Sequence, residues 1–372
     1  MIRIAVDAMG GDHAPGAVVD GALLAAKGLD VEIVLVGSKE AVDRELSRRS
    51  VRDSAIQTIH ASQVVAMGES PSATLKKRDS SMMVAFQLMK RGEVEAVVSA
   101  GNSGAMMATG MFVLGNLPLV DRPAIMVVVP TLLKGAVIID AGANVDCKPH
   151  HLVQFGLMGS IYAEKVLGIP RPRVGALSNG EEEGKGNDLT RAASEQLRST
   201  PLNYIGYVEG RDINSGGVDV VVCDGFTGNV ALKTMEGVAG FILQVLKEAF
   251  RENTLTRLSY LLSRGALHRA YNRLDYAEYG GAPLLGLNGV AIVAHGGSGP
   301  KAIKNAIRVA KETVAHDVNR LIVEVLERLG ETHKEDGLPH KVWRHIRSKI
   351  DKISERPAAE GEGRENKSGG KG

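Results

Sequence analysis

One pattern, repeated four times, limits what this chain can become: a short apolar run rich in β-branched residues, then glycines among small polar residues, then a helical stretch. Ile2–Val6 runs into Asp7-Ala-Met-Gly-Gly-Asp12 and a helix to about Lys27. Val94–Ser99 leads through Ala100-Gly-Asn-Ser-Gly-Ala105 into a Met- and Ala-rich helix. Val218–Cys223 leads through Asp224-Gly-Phe-Thr-Gly-Asn229 into a helix through about Phe250, and Val290–Ala294 through His295-Gly-Gly-Ser-Gly-Pro300 into a helix from Lys301. Apolar runs this short and without alternation suit strands buried on both faces, and helical crossovers set successive strands parallel. Further candidate strands lie at Glu32–Val36, Gln57–His60, Ala124–Val129, Ala136–Asp140 and Val174–Leu177. The expected architecture is a three-layer α/β/α sandwich around a mostly parallel sheet.

Glycine supplies the loops of that pattern: 44 of 372 residues, about 12% where roughly 7% is usual. A hydrophobic share of 44% and a charged share of 24% belong to a soluble, core-forming protein. Lysine and arginine total 45 against 43 acidic residues, a net charge of +2, which excludes a strongly basic nucleic-acid binder or an acidic disordered chain. Cys147 and Cys223 are too few for a disulfide framework or a thiolate zinc site, and a reducing cytosol fits them. The N-terminus lacks a secretory layout, and no apolar run reaches the roughly 18–20 residues that span a bilayer. Residues 1–350 read as a single two-lobed α/β unit, and 351–372, charged and glycine-rich, as a disordered tail.

In parallel sheets, ligands bind where strand ends meet helix N-termini, and the unpaired N–H groups there favour anions. Three loops fall at such ends: Gly101-Asn102-Ser103-Gly104, Gly225-Phe226-Thr227-Gly228-Asn229 and Gly296-Gly297-Ser298-Gly299. They suit a composite anion site on one sheet edge, or else plain turn and capping chemistry. The loop Glu181–Asn187 adds Lys185, able to hold an oxyanion, and Asn187, able to donate to a carbonyl oxygen; a solvated turn is the other reading. Lys76-Lys-Arg78 forms a basic rim or a helix cap. His295, beside a glycine loop, is placed to donate a proton or to hold backbone. His150 and His151 sit with Asp146 and Cys147, but adjacent histidines rarely share a metal and no matching cluster appears, so no metal is expected. Nucleotide fingerprints are missing: there is no G-x-x-x-x-G-K-[ST], and Gly297-Ser-Gly-Pro-Lys-Ala302 is weak alone.

Between Phe250 and Leu274, Leu255, Leu258, Leu261, Leu262 and Leu267 lie among Arg251, Arg257, Arg264, Arg269 and Arg273. This is an amphipathic helix, or a hairpin broken near Gly265, suited to an anionic membrane surface or a partner protein, or an ordinary core or dimer helix.

Eight strings in order carry a resemblance: Asp7-Ala-Met-Gly-Gly-Asp-His13, Lys77-Arg-Asp-Ser-Ser-Met82, Ser99-Ala-Gly-Asn-Ser-Gly-Ala105, Asp140-Ala-Gly-Ala-Asn-Val-Asp-Cys147, Glu182-Glu-Gly-Lys-Gly-Asn187, Asp224-Gly-Phe-Thr-Gly-Asn229, Glu278-Tyr-Gly-Gly-Ala282 and Ala294-His-Gly-Gly-Ser298. Over residues 1–330 the chain resembles the bacterial acyl-(acyl carrier protein):phosphate acyltransferases of phospholipid synthesis. The departures, Arg78 and His150, touch nothing catalytic. The resemblance implies a fold like that of phosphotransacetylases and isocitrate/isopropylmalate dehydrogenases, and a homodimer needing no cofactor. It implies acyl transfer from acyl carrier protein to inorganic phosphate, with the acyl phosphate passed to a membrane glycerol-3-phosphate acyltransferase. It also implies a cytoplasmic protein held peripherally at the inner membrane face through Leu255–Leu274.

Inorganic phosphate is itself a nucleophile, so no serine or cysteine intermediate is required. Gly101, Ser103, Gly104, Thr227, Gly228, Gly297, Ser298 and Lys185 are the expected phosphate-holding residues, and Asn102, Asn187 and Asn229 the expected oxyanion donors. His295 is the expected acid for the leaving thiolate, with Asp224 orienting a partner. Two other readings stay open: an isopropylmalate-type dehydrogenase, and a non-catalytic membrane organiser of lipid enzymes.

Overall fold

A computed structural model describes residues 1–49, 55–133, 135–274 and 276–335. The expected tail at 351–372 lies outside them. In the first lobe come β1 (Ile2–Asp7), α1 (Gly16–Gly28), β2 (Val31–Gly37), α2 (Lys39–Arg48), β3 (Ile56–His60), α3 (Pro71–Thr74), α4 (Ser81–Lys90), β4 (Ala96–Ser99) and α5 (Ser103–Val113). The chain then crosses through β5 (Ala124–Pro130) into β6 (Gly135–Ile139), α6 (Pro149–Lys165), β7 (Arg173–Leu177), α7 (Asp188–Arg198), β8 (Asn203–Val208) and β9 (Val220–Val222). A long pair of helices follows, α8 (Gly225–Arg251) and α9 (Thr254–Leu274), then α10 (Tyr276–Tyr279). The chain returns to the first lobe with β10 (Ala282–Leu285), β11 (Val290–Val293) and α11 (Pro300–Ala315), and α12 (Val318–Glu335) packs on α6.

Among the described residues the strands form one sheet in the order β3-β2-β1-β4-β11-β10-β5-β6-β9-β7-β8. Its two wings are parallel, as expected, but β11–β10, β10–β5 and β5–β6 are antiparallel. Three reversals in succession make the strands of the second wing run opposite to those of the first.

Alternate residues of each strand face different helices, so both faces are apolar. In the first wing Ile4, Val6, Val98 and Ile292 pack under α1 and α11. Ala5, Val97 and Ala291 turn to Met82, Phe86 and Met106 of α4 and α5. In the second wing Val137, Ile139, Val220 and Val222 pack against Leu152, Phe155 and Met158 of α6. The reverse face of that wing holds a smaller cluster that ends on Ala231, Leu232 and Met235 of α8. Burial of this kind contributes roughly 1.5–3 kcal/mol per large side chain.

Two strands escaped the sequence reading. In β8 an alternating run is interrupted by Gly206, next to a register shift against β7. In β10 only four residues pair, one of them Pro283, so its sequence looks like a turn.

Of the two readings of this stretch, one helix or a hairpin broken near Gly265, the structure has the first: α9 runs unbroken from Thr254 to Leu274. A single interior glycine costs a helix only about 1 kcal/mol. The turn falls earlier, where Asn253 Oδ1 accepts from Thr256 N at 3.0 Å and Asn253 N donates to Thr256 Oγ1 at 3.2 Å, a reciprocal cap. The hairpin is therefore α8 against α9, with Phe250 and Tyr260 rings 5.6 Å apart across it. Among the described residues no helix is long and apolar enough to cross a membrane.

Candidate active site

The ends of β1, β4 and β11 are tied into one knot. Asp7, 2% exposed, accepts from Ser99 Oγ at 2.7 Å and from Met9 N at 3.1 Å, and Ser99 Oγ accepts from Gly101 N at 3.0 Å. Burial pushes the Asp7 carboxyl up from the usual range, against the pull of hydrogen bonds from Ser81, Ser99 and the Met9 and Gly10 amides. Asp12 N donates to Gly296 O at 2.9 Å and joins the third loop. Here lie Gly101, Ser103, Gly104, His295, Gly297 and Ser298 of the expected site, with Gly104 packed on Pro71 and Ser103 exposed.

Asn102 belongs to the knot in a way that corrects its expected role. Its Oδ1 accepts from Ala105 N at 3.0 Å, while Nδ2 donates to Met67 O and Glu69 O at 2.8 and 2.9 Å. Both amide hydrogens are committed to backbone, so none remains for an oxyanion. His295 Nδ1 accepts from Gly297 N at 3.1 Å, which in the neutral ring places the hydrogen on Nε2. Ser298 Oγ, in a residue 4% exposed, has no hydrogen-bond partner among the described residues.

The second group lies at the ends of β6, β7 and β9. Asp140 is buried, its Oδ1 accepting from Ile125 N, Gly142 N and Ala143 N, its Oδ2 from Asn144 N and Nδ2. Desolvation pushes its carboxyl up against those bonds. Beside it a cleft of about 420 Å³ opens between the starts of α7 and α8, lined by Ser178, Asn179, Gly186, Asn187, Thr190, Asp224 and Thr227 over an apolar floor of Leu152, Leu177 and Cys223. Asn187 caps α7, its Oδ1 accepting from Thr190 N at 2.8 Å and Oγ1 at 2.9 Å; its amide hydrogens have no partner among the described residues. Asp224 caps α8, accepting from Thr227 N at 2.8 Å and Thr227 Oγ1 at 2.7 Å. The partner it orients is thus Thr227. Lys185, next in sequence to the lining residue Gly186, is exposed and has no ion-pair partner among the described residues, and Asn229 is exposed on the first turn of α8 beside Gly142.

Gly228 is corrected as well. A Cβ there would stand 1.9 Å from Asp140 O, and its N–H already donates to Asp224 O at 2.9 Å. Gly228 lets α8 start against the β6 loop and offers no free amide to a phosphate.

The three glycine loops do not share a sheet edge. Gly101 and His295 follow β4 and β11, whereas Asp224 follows β9, which runs in the opposite sense. Within one chain the expected residues therefore divide: Gly101–Gly104 with His295–Ser298 at one edge, Lys185 and Asn187 with Asp224–Asn229 at the other.

Both thiols are held toward the protonated form. Burial, with Asp140 and Asp224 nearby, raises Cys147 to about 12 and lifts Cys223 well above the usual thiol range. The structure does bring a third group to the paired histidines, which the sequence reading missed: Asp121 Oδ2 is 3.4 Å from His150 Nε2. His151 is engaged elsewhere, its Nδ1 accepting from Lys148 N at 3.1 Å to cap α6. Burial, reinforced by the His150 ring, lowers its imidazole to about 4.

Ser178, Asn179 and Thr190 were also missed. A signal was present, since Ser178-Asn179 directly follows the Val174–Leu177 run, just as the glycine loops follow theirs.

The sheet and its flanking helices share their fold with phosphotransacetylases. A phosphotransacetylase from Streptococcus pyogenes superposes over 84% of this chain and 94% of its own with a TM-score of 0.57 at 17% identity. A 4-hydroxythreonine-4-phosphate dehydrogenase from Klebsiella pneumoniae does so over 84% and 99% with a TM-score of 0.50 at 14% identity, so this fold alone does not choose between transferase and dehydrogenase. Sequence makes the choice. Residues 2–321 match the family model described as "Fatty acid synthesis protein", and a protein of Geotalea daltonii named "Phosphate acyltransferase" is 54% identical over 88% of this chain and 94% of its own. The chain belongs to that family of acyltransferases.

Proposed function

We propose that the chain transfers a fatty acyl group from the thioester of acyl carrier protein to inorganic phosphate, and that the chemistry occurs in the cleft between α7 and α8. The observation that carries this is the convergence of two helix N-termini on one cleft that also holds Asn187 and Thr227, with Lys185 next in sequence to its lining residue Gly186. Their aligned peptide dipoles and the ammonium favour a small dianion. A phosphate oxygen attacks the thioester carbonyl carbon, forming the C–O bond of a tetrahedral oxyanion, which collapses with cleavage of the C–S bond. The pantetheine sulfur leaves as a thiolate, the conjugate base of a weak acid that needs no strong proton donor. Asn187 Nδ2 donates to the oxyanion of the tetrahedral intermediate. His295, at the other edge of the sheet, is not needed for this step.

The acyl phosphate is then a substrate for a membrane glycerol-3-phosphate acyltransferase, which calls for a place near the bilayer. On α9, Leu255, Leu258, Leu261 and Leu262 are exposed, Leu262 at 83%, and Arg264 and Arg269 are exposed beside them, while Leu267 is half-buried. This helix supports peripheral attachment to an anionic membrane surface or docking of the acidic carrier. Replacing Leu258 and Leu262 by Glu is expected to abolish co-flotation with anionic vesicles and leave turnover of carrier thioester in solution intact. Loss of that turnover instead would assign α9 to the carrier.

The reaction is tested by mixing protein, acyl carrier thioester and phosphate and trapping acyl phosphate with hydroxylamine. Hydroxamate formation that requires phosphate is expected, with Asn187→Ala reducing kcat about 10²–10³-fold, the usual effect of losing one oxyanion donor. Undiminished turnover in Asn187→Ala would move the chemistry out of this cleft.

A further inference from the structure

Of the two groups on the segment 178–187 given a role in the reaction, Asn187, the oxyanion donor, is anchored by its own bonds to Thr190, and Lys185 is the one assigned to phosphate. Lys185 has no such anchor. Its stem lies over Gly180, where a Cβ would be 2.8 Å from Lys185 Cγ, and the residue is exposed. The two peptides that flank Gly186, however, are each held by one bond. Asn179 Oδ1 accepts from Gly186 N at 2.8 Å. Arg191 donates through one terminal nitrogen to Gly186 O and through the other to Asp188 Oδ1 at 2.6 Å. Gly186 itself has φ +84°, in the left-handed region that glycine adopts without strain. Meanwhile Glu181 pairs with Arg211 at 3.6 Å and Glu183 with Arg198 at 3.0 Å, whereas Glu182 Oε2 lies over Gly180 like the Lys185 stem.

We infer that Asn179 is a positioning residue for phosphate: its amide oxygen fixes the Lys185–Gly186 peptide and so keeps the Lys185 ammonium at the mouth of the cleft. This rests on the cleft being the phosphate site. Gly186 N has Asn179 as its acceptor; with that acceptor removed, the peptide rotates about Lys185 ψ and Gly186 φ, and Lys185 samples solvent instead of the rim. Asn179 touches no reacting atom in this role, so its effect must pass through Lys185.

A double-mutant cycle tests this on the full chain, with phosphate KM and kcat measured by hydroxylamine trapping. Asn179→Ala is expected to raise phosphate KM about three- to tenfold, the equivalent of one neutral hydrogen bond, with kcat little changed. In the Lys185→Ala background the same change is expected to add less than about twofold. Equal fold-changes in the two backgrounds overturn the inference, since a merely structural role is additive. Hydrogen exchange gives an independent readout: the peptide containing Gly186 should exchange faster in Asn179→Ala at unchanged Tm, and unchanged exchange overturns the inference. If Lys185→Ala leaves phosphate KM unchanged, the phosphate site itself has been misplaced and the inference falls with it.

Discussion

A Cβ at position 228 would stand 1.9 Å from Asp140 O and 2.8 Å from Cys223 Sγ, and backbone on both sides prevents escape. Gly228→Ala must therefore shift α8 away from the β6 loop. The expected cost is about 3 kcal/mol, the upper end for overpacking, read as a fall in Tm. Four residues earlier, Asp224 presents a different problem, a carboxylate beside a site for an anion. With two acceptor positions taken by Thr227, it has others left to accept a P–O–H hydrogen from phosphate. Sulfate, a dianion without a proton, has none to offer. Asp224→Asn preserves the cap and removes the charge, so sulfate is expected to change from a poor to an effective competitive inhibitor. Unaltered sulfate inhibition would show that Asp224 does not face the anion.

At the scale of elements, α6 begins on a titratable cap. His151 N donates to Lys148 O at 2.9 Å, and His151 Nδ1 accepts in return from Lys148 N. Burial lowers this imidazole from its ordinary value near 6.5 to about 4. Because the folded value lies below the unfolded one, the stabilising contribution is whole above about pH 6.5 and is lost as pH falls toward 4. His151→Asn keeps an acceptor for Lys148 N without a titrating ring. The difference in Tm between wild type and variant is expected to narrow or reverse from pH 7 to pH 4.5; a constant difference would contradict the linkage. The glycine-loop elements were legible because strand, turn and helix signals are local. Asn102, Asn187 and Asp224 all proved to be caps, one of the two readings open for such loops. That Asn102 also holds Met67 O and Glu69 O depends on contacts more than thirty positions away in sequence, which no spacing rule reveals.

For the whole molecule, α8 is the outlying feature. Only Gly225 and Gly228 of its 27 residues are buried, while Phe226, Val230, Val238, Phe241, Ile242 and Val245 are exposed, Phe241 at 69%. An apolar stripe along so long a helix is too extensive for solvent, and a second copy of the chain is the partner proposed for it. Sedimentation is expected to give a dimer that Phe241→Glu with Val245→Glu dissociates. A wild-type monomer at micromolar concentration would leave that stripe to another surface.

Periodicity and turn chemistry alone determined that this chain forms buried parallel strands linked by helices, with capped helix starts at the strand ends, and the ordered motifs determined its family. Local sequence carries these because each depends on residues a few positions apart. The tertiary structure decided which strand ends face the same way. That choice rests on the antiparallel β10, four residues with a proline, and on pairings between strands remote in sequence. Hydrogen bonding across a sheet leaves no period in the chain, so only the folded sheet could separate His295 from Asp224 and bring Asn187 to the same cleft as Asp224.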